Sequence, residues 1–271
     1  DGDGKSDISV YRPSNGTWYE MLSGSGSFGG QQFGSSEDKI VPADYDGDNK
    51  TDIAVFRSSN GTWYQLRSSD NTFYGVQFGA SEDIPVPNDY DGDGRTDIAV
   101  FRPSNGTSYQ IRSLGNQFFA KHFGQNGDKP LVGDFDGDGI GDLAVFRAGN
   151  WYLNEGINNS FRAVKFGFAA DVPTPADYDG DGKTDIAVFR PSNGVWYQLN
   201  SANNNSISAV QFGISEDKPV AADYDGDGKA DVAVFRPNNG VWYLLRSTAG
   251  FTGVSFGQSG DKPIPNAFIP Q

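Results

Sequence analysis

The sequence has no cysteine, one histidine and one methionine in 271 residues. Without cysteine there is no disulfide framework and no thiolate metal centre. That absence does not assign a compartment, because extracellular domains can lack cystines. The lone His122 has no serine or cysteine partner at a suggestive spacing, and no phosphate loop or zinc signature occurs. It stands where other parts of the chain carry Gln77 or Gln211 and reads as a surface strand residue. No apolar run approaches the roughly 18 residues of a membrane span, so membrane insertion is not expected. With 36 Gly and 14 Pro, there is no room for a helix of ordinary length. Excess positive charge is missing too. The net charge is −14 and the pI about 4.3, which argues against nucleic acid or an anionic membrane as a partner. The chain opens on Asp1, so the expectation is that any targeting peptide has been removed or lies outside this segment.

The acidity that is present has an address. Twenty-three of the 35 carboxylates fall in one recurring pattern. Its full copies are Asp44/Asp46/Asp48/Asp52, Asp89/Asp91/Asp93/Asp97, Asp134/Asp136/Asp138/Asp142, Asp177/Asp179/Asp181/Asp185 and Asp223/Asp225/Asp227/Asp231. A truncated copy, Asp1/Asp3/Asp7, starts the chain. Without these residues the remaining 12 acids and 21 bases would leave +9. Five or six divalent cations in the loops would bring the total to between −4 and −2, an ordinary value for a soluble domain.

The loops recur at steps of 45, 45, 45, 43 and 46 residues. A fixed period in this range indicates a propeller, solenoid or array. Each unit reads as strand throughout. Residues 51–56 form a short apolar run rich in β-branched side chains. A Ser-Asn-Gly turn and a strand over 62–66 follow, then a polar loop and a strand over 73–78. A proline-bearing segment, 84–89, leads into the next Asp loop. Pro85 and Pro87, Pro173 and Pro175, and Pro263 and Pro265 are spaced by two, so the same side of that strand lacks N–H donors. Such a strand belongs at a sheet edge, as the innermost strand of a propeller blade does. The C-terminal segment 262–268 aligns with 218–224 and has no blade of its own, while the N-terminus begins inside an Asp loop. Pairing the two closes a ring. The sequence therefore predicts an all-β, six-bladed β-propeller with four antiparallel strands per blade. It is expected to form a single domain over 1–271, closed by pairing of the C-terminal strand with the N-terminal blade.

Carboxylates at positions one, three, five and nine of a tight loop suit a hard cation. Calcium takes six to eight oxygen ligands in flexible geometry, whereas zinc prefers His or Cys and magnesium keeps most of its waters. The backbone carbonyl at position seven, Lys50, Arg95, Ile140, Lys183 or Lys229, is expected to complete the set with water. An EF-hand needs a bidentate Glu at position twelve, where these loops have Val55, Val100, Val145, Val188 or Val234 inside a strand. Without metal, the clustered charges would repel within a few Å. Calcium bound to the folded loops would act on folding stability.

These residues resemble the FG-GAP/VCBS repeat family, the calcium-bearing β-propellers that include the heads of integrin α chains. Phe78-Gly79 matches the FG element, and Asp89-x-Asp91-x-Asp93-Gly94-x-x-Asp97 matches the family's calcium loop. Phe101-Arg-Pro103 stands where the GAP element would be and departs from it. The resemblance covers the whole chain in six copies, against seven blades in integrin heads. It implies that each Asp loop joins the first and second strands of a blade. It also implies about five full Ca2+ sites and a sixth, at Asp1, Asp3 and Asp7, left incomplete because Ala267 takes the place of the first Asp.

Other residues recur. Arg12, Arg57, Arg102, Arg147, Arg190 and Arg236 follow a strand in every unit, and Asp38, Asp83, Asp128, Asp171, Asp217 and Asp261 precede one. They form either repeated ion pairs that set register or a ring of ligand pockets. Trp18, Trp63, Trp151, Trp196 and Trp242 each precede a Tyr, with Ser108-Tyr109 the exception. One ring of each pair is expected to pack against a neighbouring blade, with aromatic sugar platforms as the alternative. Glu20 and Glu155 have no repeat role and form no evident acid/base pair. Near-identical units argue against an asymmetric active site. The expected function is a non-enzymatic, extracellular or cell-surface binding, adhesion or scaffold module for a protein or glycan, part of a longer secreted protein. The alternatives are a self-assembling surface or filament subunit and a domain of a secreted polysaccharide-active enzyme.

Overall fold

The structure, a computed structural model, describes residues 1–156 and 160–264. Its regular structure is almost entirely strand, in six four-stranded antiparallel sheets. Blade two shows the common plan. Lys39–Ile40, Ile53–Arg57, Thr62–Leu66 and Phe73–Gln77 lie side by side in chain order. The sheets are those of a six-bladed β-propeller, as the repeat predicts. Among the described residues a single 3₁₀ turn, Leu114–Asn116, interrupts the pattern, in blade three.

The chain divides into two compact units. One holds blades one, five and six, built from Asp1–Gln32 and residues 165–264. The other holds blades two, three and four. In the first unit, Lys262–Pro263 pairs with Ile8–Arg12, with Val10 opposite Pro263 and Tyr11 opposite Lys262. The C-terminal strand thus completes the N-terminal blade, as expected. Pro265 and Ala267 lie outside the described residues.

The first strand of each blade is short. Ile84–Pro85 makes two ladder pairs, and Asn88 then makes an isolated bridge to Asp97. Prolines remove the donors that a longer ladder would need, and the strand sits at the sheet edge, where that loss is tolerated. The second strand is covered on both faces: Ala54, Val55 and Phe56 are each no more than 1% exposed. Its apolar run has no solvent face to satisfy, which explains the lack of alternation.

The third strand answers which aromatic packs. Trp63, Trp151, Trp196 and Trp242 are fully buried, each with its ring 5.4 or 5.5 Å from the phenylalanine of the second strand. The adjacent tyrosine points to the other face, half-buried. There the recurring arginine lies over it, as with Arg57 Cζ at 4.9 Å from the Tyr64 ring centroid. The arginine in turn grips the aspartate before the first strand of its own blade. Arg57 donates from Nε and a terminal nitrogen to both oxygens of Asp38, each at 2.9 Å. The same fork recurs for Arg12–Asp261, Arg102–Asp83, Arg147–Asp128, Arg190–Asp171 and Arg236–Asp217. The repeated ion pair is therefore present in all six blades.

Candidate metal centres

Each of the five full Asp loops joins the first strand of a blade to the second, and the Asp1/Asp3/Asp7 copy leads into the second strand of blade one. The turn needs left-handed backbone at positions four and six, which glycine supplies at no steric cost. Gly92 and Gly94 have φ of 79° and 83°. Asn49 takes the sixth position in blade two at φ 64°, a conformation that asparagine tolerates better than most residues.

Within the loop the four carboxylates divide the work. The first caps the turn: Asp89 accepts hydrogen bonds from the N–H groups of Gly92 at 2.6 Å and Gly94 at 2.8 Å. The ninth is a clamp buried beneath the loop. Asp52 accepts from Tyr45 N–H at 2.9 Å and from Ser68 N–H at 2.7 Å, and Asp97, Asp142, Asp185 and Asp231 repeat the arrangement. The fifth accepts the N–H of position seven, as Asp48 does from Lys50 at 2.9 Å. The third is left incomplete in three of the loops, whereas Oδ1 of Asp91 and Asp136 accepts from Asp93 and Asp138 N–H. One oxygen of Asp46, Asp179 and Asp225 accepts from the segment after the third strand, while Oδ1 of each is buried and makes no hydrogen bond.

That orphaned oxygen tests the loop for a cation. A buried carboxylate oxygen without a partner is costly, and the same atom stands bare in three separate blades. Around it, carboxylate oxygens converge to within 4.8 Å of one another. The groups are Asp44/Asp46/Asp48, Asp89/Asp91/Asp97, Asp134/Asp136/Asp142, Asp177/Asp179/Asp185 and Asp223/Asp225/Asp227. The donors are hard oxygens, so the residues fit a cation such as calcium. Among the described residues, no such group includes Asp1, Asp3 and Asp7. Asp93, Asp138 and Asp181 lie in the same turns but outside these closest groups, as do Asp52 and Asp231. Lys50, Arg95, Ile140, Lys183 and Lys229 each keep their N–H on the fifth carboxylate.

Crowding and burial alter the acids. Asp97 is pushed up to about 6 and Asp142 to about 7, chiefly because burial penalises the charged form. Asp52, Asp185 and Asp231 rise for the same leading reason. The phenols of Tyr45, Tyr90, Tyr178 and Tyr224 are also raised by burial, and each donates its O–H to the carbonyl of the residue just after a first strand, such as Val41 O at 2.8 Å.

Sequence reasoning missed the serines that close the loop from the far side. Ser68 Oγ lies 2.9 Å from Asp48, and Ser23, Ser113, Ser201 and Ser247 repeat the contact. Their signal was a serine sixteen residues after the ninth-position Asp, as Ser68 follows Asp52. Blade four has Gly156 instead. The remaining singular residues are placed as well. His122 is exposed on a fourth strand, with Nδ1 3.1 Å from Gly106 O. Glu155 is buried and paired with Arg162 at 2.6 Å, while Glu20 is half-buried on its third strand.

The architecture and loops define a β-propeller whose blades each carry a carboxylate turn before the second strand. The FG-GAP-like repeat model matches residues 1–55, 44–100, 89–145, 134–188 and 177–234, and the FG-GAP repeat model matches 218–255. The chain belongs to the FG-GAP repeat family. Among curated proteins nothing matches it. Three solved structures are similar in fold. TolB from Acinetobacter baumannii has a TM-score of 0.65 at 17% identity, over 98% of this chain and 67% of its own. An Agrocybe aegerita lectin that recognises non-reducing terminal N-acetylglucosamine has 0.60 at 18%, over 94% and 77%. Virginiamycin B lyase from Staphylococcus aureus has 0.57 at 7%, over 98% and 93%. At these identities the likeness is one of fold alone.

Proposed function

We propose that the chain is a calcium-stabilised extracellular or cell-surface propeller. It acts as a non-catalytic binding or scaffold module for a protein or glycan, within a longer secreted protein. The observation that carries the calcium reading is the buried, unpartnered Oδ1 of Asp46, Asp179 and Asp225 beside converging carboxylates. Calcium would supply charge neutralisation and one more bond to each such oxygen. The chain's own residues would hold it through positions one, three, five and nine of the five full loops. The incomplete Asp1/Asp3/Asp7 copy would bind more weakly.

Two features support binding without catalysis. The six blades repeat one plan, and the groups that break it, His122, Glu20 and Glu155, are scattered on different blades. The fourth strands also present large apolar side chains to solvent at equivalent places. Phe28, Phe73, Phe118, Phe161, Ile207 and Phe251 are 63–69% exposed. We read this repeated exposed position as the surface that a partner would cover. The fold itself is neutral on the point, since it is shared by a lectin, TolB and a lyase. Self-assembly is the second reading. The same exposed residues lie on sheet-edge strands with unpaired backbone groups, which can template pairing with another copy.

A calcium titration read by melting temperature tests metal and fold together: a large loss of thermal stability in chelator is expected. A glycan array run with and without chelator tests the ligand class. No array signal, together with concentration-dependent association, would favour self-assembly. An unchanged melt would remove the metal from the reading.

A further inference from the structure

The carboxylate loops are tied to one another as well as to their own blades. In each tie, the N–H at position eight of one loop donates to the carbonyl of the first Asp in the preceding loop. Thr96 N–H meets Asp44 O at 2.7 Å. Gly141 N–H meets Asp89 O, Ala230 N–H meets Asp177 O and Ser6 N–H meets Asp223 O, each at 2.6 Å. The tie brings the side chain of the neighbouring residue, position seven, across the loop it touches. A Cβ added to Gly47 would lie 3.0 Å from Arg95 Nε, and one on Gly180 would lie 3.1 Å from Lys229 Cγ. One on Gly226 would lie 3.0 Å from Lys5 Cγ. These glycines sit between the third and fifth carboxylates, so the absence of a Cβ is what lets the cationic stem lie flat there. In the fourth case the covering residue is not a base: a Cβ on Gly92 would lie 3.2 Å from Ile140 Cγ1.

Three of these loops therefore carry a tethered cation from the next blade, and one carries a hydrocarbon. We infer that the position-seven side chain sets the divalent-cation affinity of the loop it covers, and that the Asp89–Asp97 loop, beneath Ile140, is the tightest of the four. The inference rests on the calcium reading of these loops. A tethered unit charge repels an incoming divalent ion and already neutralises part of the carboxylate field. The two charges lie within about one Debye length, so salt screens them incompletely. At a surface site the expected penalty is roughly three- to tenfold in affinity. Position seven thus has two roles: its backbone serves its own loop and its side chain tunes the preceding one.

The test is a calcium titration against a chromophoric chelator at low salt, in wild type, Ile140→Lys, Ile140→Met and Arg95→Ile. Circular dichroism in saturating calcium reports that each variant is folded. Ile140→Lys should weaken one of the tight steps three- to tenfold, and Ile140→Met should leave it in place. Arg95→Ile should tighten one of the weaker steps by a similar factor. Added potassium chloride should shrink both differences. Equal constants in wild type and Ile140→Lys would overturn the inference while leaving calcium binding intact. So would a Met variant that weakens as much as the Lys variant, since packing would then be the cause. Absence of calcium binding in all four proteins would remove the underlying reading as well.

Discussion

Asp83 shows what one residue does in this repeat. Its side chain is fully buried and accepts from Arg102 Nε at 2.8 Å and a terminal nitrogen at 2.9 Å. It also accepts from Ala80 N–H at 2.7 Å, which closes the turn before the first strand. The bidentate fork fixes the guanidinium over Tyr109, 4.7 Å from the ring centroid, and raises the arginine's proton affinity. Asp83→Ala leaves a partly exposed cation and a backbone N–H without partners. The expected cost is about 3 kcal/mol, read as a lowered denaturation midpoint with unchanged slope. Arg102→Lys, which keeps the charge but not the fork, should lose about half of that. A loss under about 0.5 kcal/mol for Asp83→Ala would mean the pair contributes no more than an ordinary surface bridge. The choice between ion pair and ligand pocket could not be made from the sequence, because spacing alone does not say whether the two side chains meet.

At the scale of the strand, the exception explains the rule. Trp63, Trp196 and Trp242 fill the space behind the second strand, and each donates Nε1–H at 2.9 Å to the carbonyl of the FG phenylalanine, Phe78, Phe212 and Phe256. In blade three Ser108 is 4% exposed, and its Oγ is buried without a partner. A residual cavity of about 10 Å³ is lined by Ser108, Phe101, Phe123, Leu131 and Val145. Ser108→Trp is therefore expected to lower the melting temperature, because a cavity that holds about one water cannot take an indole without displacing its neighbours. Trp63→Ser should lose about 3–5 kcal/mol, measured by chemical denaturation. A Ser108→Trp variant that melts higher would show that blade three can open to take the ring its sister blades carry. Much at this scale was legible in the sequence. The 45-residue period, the Asp spacing and the paired prolines gave blade number, loop position and edge strand. The facing of Trp against Tyr was not legible, because adjacent strand residues point oppositely and both are aromatic. The reach of position seven into the preceding loop was also hidden, since it depends on a hydrogen bond between blades.

For the whole molecule the decisive quantity is the charge held by the loops, and its sign predicts opposite pH responses with and without calcium. In metal-free protein Asp97 and Asp142 hold protons up to about 6 and about 7, with burial the leading cause in both. Asp52, Asp185 and Asp231 shift in the same direction. An unfolded aspartate releases its proton near 3.9. Between these limits the folded chain binds more protons than the unfolded one, so stability falls as pH rises. The contribution is fully present below the unfolded value and is lost as pH climbs through about 6 to 7. Asp3 and Asp227 move the other way, mainly through hydrogen bonds from Lys5 N–H and Ser247, but both are fully exposed and weigh little. Chelated protein should therefore melt several degrees higher at pH 5 than at pH 8. Calcium-loaded protein should do the reverse, because the ion replaces the proton as the neutralising charge and acid displaces it. Scanning calorimetry at both pH values, with calcium and with chelator, gives the four melting temperatures needed. The two pH trends should cross. Parallel trends, with both forms losing stability on acidification, would mean that the buried ninth-position carboxylates are not what an ion relieves.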